Sequence, residues 1–180
     1  MNESHITTAA LVAVPTAHGT FEAALTERGL RCLTFPNQPG AAGRWLERHL
    51  SGVTVRTSDP RTAMLADELD AYFRGDLTGF TVPLDLAGTP FQLDVWGQLR
   101  VIPYGEVRSY AQVARAIGRP AAVRAVGAAN GANPVPIIVP CHRVIGSSGA
   151  LTGFGGGLDW KRRLLAIEDA SRWAELPLHA

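Results

Sequence analysis

Two helix-start signatures of the same kind stand in the second half of this 180-residue chain, and they constrain its fold more than any other feature. Thr89 is followed by Pro90 and, three positions on, by Gln92; Ser109 is followed three positions on by Gln112. An N-cap hydroxyl accepts from the third backbone N–H, and an amide at that position reaches back to the cap, so each pattern fixes where a helix begins. Pro90 adds a preset φ at the first helical position. Behind it, Phe91, Val95, Trp96 and Leu99 share one helical face. The second signature starts a helix beside Tyr110 that is expected to run to about Ile117. Gly118-Arg119 then makes a tight turn, Pro120 opens another helix, and Asn130-Gly131 ends it. Two short helices across so brief a turn describe a helix-turn-helix.

The second of these helices carries almost nothing but small residues. Ala121, Ala122, Ala125, Gly127 and Ala128 leave Arg124 as its single charge. Tight packing against a core accounts for such a surface. So does close approach to a DNA groove with one guanidinium projecting. Reading base edges in the major groove takes several polar side chains. This helix offers one, so sequence-independent contact in the minor groove fits it better.

The first half has another character. Residues 7–14, 20–25 and 29–34 are short apolar or alternating segments broken at His18-Gly19 and Arg28-Gly29, which predicts a three-stranded antiparallel meander. Residues 61–74 place Met64, Leu65, Leu69, Tyr72 and Phe73 at helical spacing, with Pro60 at the start and Gly75 at the stop. Residues 76–88, with Gly79, Pro83 and Gly88, read as a connector. The expected organisation is an α/β domain over 1–88 and a mainly α domain over 89–180, with no internal repeat.

Composition narrows the class. At 46% hydrophobic and 18% charged, the chain can bury a real core and is not a disordered polymer. Its longest apolar runs are too short to span a bilayer, and the N-terminus, with Glu3, lacks a charged-then-apolar leader. Two cysteines, Cys32 and Cys141, make no disulfide framework, which fits a reducing, cytoplasmic setting. The net charge of +1 hides an asymmetry: residues 1–88 hold 7 basic and 10 acidic side chains, residues 89–180 hold 10 basic and 6 acidic. Either this is chance, or the second half meets a polyanion.

The chemistry concentrates in ANPVPIIVPCHRVIGSSGALTGFGGGLDWKR. The apolar run Val135–Val139 is expected to carry Cys141 from the interior to an edge, with His142 beside it. A free thiol is only a few per cent thiolate at neutral pH, so a nucleophilic cysteine needs a base. His142 supplies one, directly or through a water, if a carboxylate holds its tautomer; Asp159, Glu168 and Asp169 are near in sequence. A Cys-His pair alone is a weak signal, because most such cysteines are structural. One local Cys and one local His do not make a zinc site. The cluster Gly153, Gly155, Gly156 and Gly157 follows no βαβ strand, so a loop that closes over a ligand describes it better than a nucleotide-binding loop. Cys32, in LRCLTF, reads as buried core.

Together these pieces say more. PCHRV at 140–144, preceded by NPVPII at 133–138, resembles the active-site signature of the O6-alkylguanine–DNA alkyltransferases, the methylated-DNA–protein-cysteine methyltransferases. The likeness runs from about Thr89 to Glu168 through IPYGEVRSY, RAVG and LTGFGGGL. It is weaker in the first half, whose counterpart is the family's ribonuclease-H-like domain. The resemblance implies single-use transfer of an alkyl group from guanine O6 in duplex DNA to Cys141, with thymine O4 as a second candidate source. His142 would be the base through a water, Glu168 its orienting partner, and Asn133 the hinge that ties the helix-turn-helix to the active-site strand. Tyr110 would support the base and assist charge neutralisation as guanine leaves. Arg124 would fill the gap of the flipped nucleotide, with Ala122, Ala125, Gly127, Ala128 and Ser109 also against DNA. The backbone at Cys141 and Val144 would read the guanine amino group, and Phe154-Gly155 would cover the base. No cofactor, no metal and no partner besides double-stranded DNA is implied, and the protein would act as a monomer.

The chain departs from relatives in places. Phe154 stands where some carry Tyr, which removes a hydroxyl, and Ala132 stands where some carry Arg. The alternatives are a non-enzymatic lesion sensor, which would lack the reactive cysteine, and a helix-turn-helix regulator, which would need base-reading side chains. A cysteine hydrolase would need an oxyanion hole and turnover.

Overall fold

The computed structural model describes residues 6–168, so Asp169, one candidate carboxylate, lies outside the described residues. Strands β1 (Thr8–Thr16) and β2 (Gly19–Thr26) form an antiparallel hairpin in register from Ala9 opposite Thr26 to Thr16 opposite Gly19. β3 (Leu30–Thr34) pairs antiparallel with β2, with a register shift at Ala24/Leu25. The expected three strands are present, and the sheet has a fourth. β4 (Thr54–Arg56) adds in parallel to β1, giving the order β3-β2-β1-β4. All three of its residues are exposed, so no alternation marks it in the sequence.

The two faces of this sheet are covered differently. Ala9, Ala24 and Cys32 lie under α1 (Ala41–His49), where they form a small cluster with Ala42 and Leu46. Val12, Val14, Phe21, Ala23 and Leu25 face the other way, toward α2 (Arg61–Phe73) and the second half of the chain. One hydrophobic cluster therefore holds Leu65, Leu69 and Tyr72 together with Val95, Trp96, Val126 and Leu164. Residues 76–88 do more than connect: Leu30 N–H donates to Pro83 O (2.7 Å) and Asp85 N–H to Leu30 O (2.9 Å), laying the segment along β3. Asp85 is buried there, accepting from Thr26 Oγ1 and Arg31.

The second half is helical. Both capping boxes form, at Thr89/Gln92 before α3 (Pro90–Arg100) and at Ser109/Gln112 before α4 (Tyr110–Ala116). α5 spans Val123–Gly131, so Pro120 does not open it. Ala122 N–H donates to Arg119 O (2.9 Å), placing Pro120 at the second position of a separate turn, where its fixed φ is equally at home. The run 135–139 is also not a strand. Val139 N–H closes on Val135 O (3.0 Å), and buried Ile137 sits at φ 75. A β-branched residue in that region costs about 1–3 kcal/mol and persists only where its surroundings fix it. Residues 141–143 form a single 3-10 turn leading into β6 (Val144–Ile145), which pairs in parallel with β5 (Arg108–Ser109). α6 (Leu158–Glu168) closes the described chain. Its Trp160 ring lies 5.1 Å from Phe35 and 5.6 Å from Phe21, so α6 docks on the first half as well. No helix among the described residues is long and apolar enough to cross a membrane.

Candidate active site

Cys141 opens the 3-10 turn and is only 4% exposed, so the chain keeps it inside rather than at an edge. Asparagines from α5 and its end brace the turn. Asn133 Nδ2 donates to Val139 O (2.8 Å), and Val135 N–H donates to Asn133 Oδ1 (3.0 Å). Asn130, buried on α5, directs Nδ2 at Cys141 O (3.4 Å). The position of Cys141 is thus tied to the helix that bears Arg124. From the other side, Leu33 N–H of β3 donates to Pro134 O (2.8 Å), tying the same segment to the sheet.

His142 is completely buried, and its Nε2 lies 2.8 Å from Glu168 Oε1, so the structure brings together two of the expected partners. Glu168 also receives Arg143 Nε (2.8 Å) and Nη2 (2.9 Å), the Gly105 N–H (3.2 Å) and the Tyr72 hydroxyl (2.6 Å). Burial raises the proton affinity of this carboxyl, but the His142 and Arg143 hydrogen bonds and charges outweigh it and hold it well below the usual range. Burial keeps His142 neutral, against the opposing pull of Glu168. With Nε2 turned to a carboxylate, its proton resides there and Nδ1 is the basic nitrogen. Nδ1 is buried with no protein partner among the described residues.

Burial pushes the Cys141 thiol up to about 11; a hydrogen bond from Asn133 and the nearby Lys161 ammonium pull the other way. The thiol is therefore quiet until a base removes its proton. Lys161 is fully buried on α6, donating to Val144 O (2.6 Å) and Thr152 O (3.0 Å), and burial lowers it to about 8.

Tyr110, half-buried at the start of α4, receives a hydrogen bond from Thr152 Oγ1 (3.0 Å). A Cβ on Gly127 would lie 3.9 Å from its ring, so α5 passes close by. Along α5, Val126, Ala129 and Asn130 face inward while Arg124, Ala125 and Ala128 are exposed; Ala122 and Gly127 are half-buried. The Ser109 hydroxyl is occupied as the α4 cap. Val144 is buried and its carbonyl already accepts from Lys161, while that of Cys141 accepts from the Val144 N–H. A base edge presented to either takes what lone pairs remain.

Phe154 and Gly155 lie on a loop held by the first half. Phe154 meets Phe35 edge-on at 5.4 Å; Gln38 Nε2 donates to Gly155 O (2.6 Å) and Asn37 Nδ2 to Gly156 O (3.1 Å). The cleft between the halves is lined by Cys141, Asn133 and Gly155 on one side and by Phe35, Gln38 and Trp45 on the other. Sequence reasoning missed Arg143, Lys161, Tyr72, Asn37 and Gln38. Arg143 stands inside PCHRV and Lys161 three positions after Leu158, so the motif itself held the signal for both. Nothing local marks the other three.

Two family models match this chain: the ribonuclease-like domain of 6-O-methylguanine DNA methyltransferase over residues 10–86, and the DNA binding domain of the same protein over 90–170. Fold and site thus define a two-part DNA alkyltransferase, a ribonuclease-like α/β half joined to a helical half. The inducible methylated-DNA–protein-cysteine methyltransferase of Bacillus subtilis is 46% identical over 149 residues, covering 82% of this chain and 83% of that protein. The methylated-DNA–protein-cysteine methyltransferase of Mycolicibacterium paratuberculosis is 57% identical over 123 residues, 68% of this chain and 74% of that one. The crystal structure of Mycobacterium tuberculosis OGT in complex with DNA superposes with a TM-score of 0.75 at 45% identity, covering 89% of this chain and 93% of that one. The chain belongs to the methylated-DNA–protein-cysteine methyltransferase family.

Proposed function

We infer that this chain repairs DNA by direct reversal, moving an alkyl group from guanine O6 onto Cys141 and being consumed in doing so. The observation that carries the reading is Cys141 buried beside an imidazole whose far nitrogen is fixed by a carboxylate, on a segment braced from the helix that exposes Arg124. The relatives bear the name of this activity, and the M. tuberculosis protein binds DNA.

In the proposed reaction His142 Nδ1 takes the Cys141 proton through a water, and Glu168 stabilises the resulting imidazolium. Lys161, charged and close, favours the thiolate. Sulfur attacks the alkyl carbon, the carbon–O6 bond breaks, and its electron pair leaves with guanine. Tyr110 neutralises the departing base by giving it a proton. The product is a thioether, which unlike an acyl-thioester has no hydrolytic exit. The reacting carbon lies inside a duplex, so the nucleotide has to be flipped out at a cost of roughly a few kcal/mol. α4 and α5 act as a helix-turn-helix that enters the minor groove without reading sequence. The smooth exposed surface at Ala125 and Ala128 permits close approach, and Arg124 fills the gap. The loop at Phe154-Gly155 covers the flipped base. The protein works as a monomer in the cytoplasm.

Intact-mass measurement after incubation with an O6-methylguanine duplex tests this. One methyl group should appear per chain, on Cys141, with repair equal to the protein added. No mass change, or repair exceeding the protein present, overturns it. A Cys141→Ala variant should bind the duplex and transfer nothing.

A further inference from the structure

We infer that Tyr72, from the first half of the chain, is a positioning residue for the base of the reaction: its hydroxyl fixes the Glu168 carboxylate and, through it, the tautomer of His142. This rests on the proposed role of His142 as base.

Tyr72 is fully buried on α2, far in sequence from the active-site motif. Its hydroxyl donates to Glu168 Oε1 at 2.6 Å, the same oxygen that faces His142 Nε2 at 2.8 Å. It also lies 3.4 Å from Nε2 itself. Burial and the adjacent Glu168 charge raise the phenol well above its ordinary value, so it stays a donor throughout the working range. A carboxylate offers about four lone-pair positions. Five donors crowd those of Glu168, with Tyr72, His142 and Arg143 Nη2 on Oε1 and Arg143 Nε and the Gly105 N–H on Oε2, so it has one orientation. The Tyr72 proton is committed to Oε1, leaving Nε2 with acceptors and no donor before it. Nε2 must therefore carry its own proton, and the lone pair falls to Nδ1.

The charged and titratable groups facing His142 come from several elements. They are Glu168 and Lys161 on α6, Arg143 on its own turn and Tyr72 on α2, with Tyr104 behind Glu168. Arg143 and Lys161 oppose protonation of the ring, and Glu168 favours it. The Tyr72 hydrogen bond draws charge from the very oxygen that would stabilise an imidazolium. Removing it leaves Oε1 more negative toward the ring, so protonation becomes easier and begins at higher pH.

The test is the single-turnover rate of alkyl transfer against pH, at saturating O6-methylguanine duplex, for wild type and Tyr72→Phe. The rate should fall on the acid side as His142 protonates. In Tyr72→Phe that limb should move up by roughly half to one pH unit, the share of a charged hydrogen bond felt in proton affinity. Duplex affinity should not change, because Tyr72 has no exposed surface. A wild-type limb that Tyr72→Phe leaves in place overturns the role of Tyr72 alone. A flat wild-type profile overturns His142 as base, and Tyr72 with it. Should Tyr72→Phe fail to fold, 3-fluorotyrosine placed at position 72 keeps the ring and hydroxyl and strengthens the donor on Oε1: the acid limb should move to lower pH, and a limb that stays in place overturns the proposal.

Discussion

Three consecutive glycines in the loop after Cys141 should respond differently to the same substitution. A Cβ on Gly156 would lie 2.6, 2.7 and 2.9 Å from three ring carbons of Phe35, where ordinary carbon contacts are about 3.5–4.0 Å. The ring cannot retreat. Phe35 is 2% exposed and hemmed in by Phe21, Phe154 and Trp160 at 5.8, 5.4 and 5.1 Å. Overpacking of this kind costs about 1–3 kcal/mol. At about 2–4 °C per kcal/mol for a chain this size, Gly156→Ala should lower Tm by roughly 2–12 °C. Gly157→Ala meets open space, but its φ of 91 is strained for an L residue and should cost about 1 kcal/mol. Gly155→Ala meets neither obstacle and should stay within about 0.5 kcal/mol of wild type. The assay is thermal and urea unfolding of the three variants, with Phe35→Leu alone and combined with Gly156→Ala. The shorter side chain should relieve the clash, giving a favourable coupling of about 1 kcal/mol or more. Equal stability of the three alanine variants, or no coupling with Phe35→Leu, refutes the reasoning.

Lys161 is lowered to about 8 from an ordinary value near 10.5, so between those pH values the unfolded chain binds its extra proton and this side chain's contribution to stability rises with pH, opposite in sign to the contributions of the raised Cys141 and Cys32 thiols. Urea titrations should show that contribution, about 3 kcal/mol across the window, in wild type and lacking in Lys161→Met; parallel profiles would refute it. Arg143→Leu strips Glu168 of its buried cation and should cost about 3–5 kcal/mol by urea unfolding. The depressed Glu168 carboxyl stabilises the fold above its unfolded value and loses that contribution as pH falls. Circular dichroism should therefore show acid unfolding of Arg143→Leu beginning at higher pH than in wild type. Arg124→Ala changes an exposed side chain and should leave Tm within about 1 °C while weakening duplex binding roughly tenfold or more by fluorescence anisotropy; unchanged binding would remove Arg124 from the DNA surface.

Much of this was legible because local chemistry set it. Both capping boxes, the β1–β2 turn and the 61–74 helix follow from residues within a few positions of one another. α1 escaped notice because its N-cap is Gly40 in the left-handed region, with no acidic first turn, and the carboxylate that accepts from its first N–H groups is Glu22, a residue of β2 far back in the sequence. β4 escaped because it is short, exposed and held only by its parallel neighbour. Pro120 misled because the first turn of a helix and the second position of a β-turn ask the same φ of proline. At the site, His142 and Glu168 could be named from the motif, but their company could not. A lysine at zero exposure contradicts the usual reading of lysine as surface, and Tyr72 and Gln38 meet the site only through the packing of one half on the other.

Burial of the Cys141 thiol has a consequence for the protein in waiting. Each copy can act once, so any sulfur lost to a stray electrophile or oxidant is a repair that never happens. A thiol held far above its free value presents far less thiolate than the few per cent of an open cysteine. Cys32, pushed up to about 12 beneath α1, is more inert still and offers no decoy or disulfide partner of comparable reactivity. The fold thus works as a safety catch, giving the unused protein a long shelf life and leaving its one shot to be released by the right lesion.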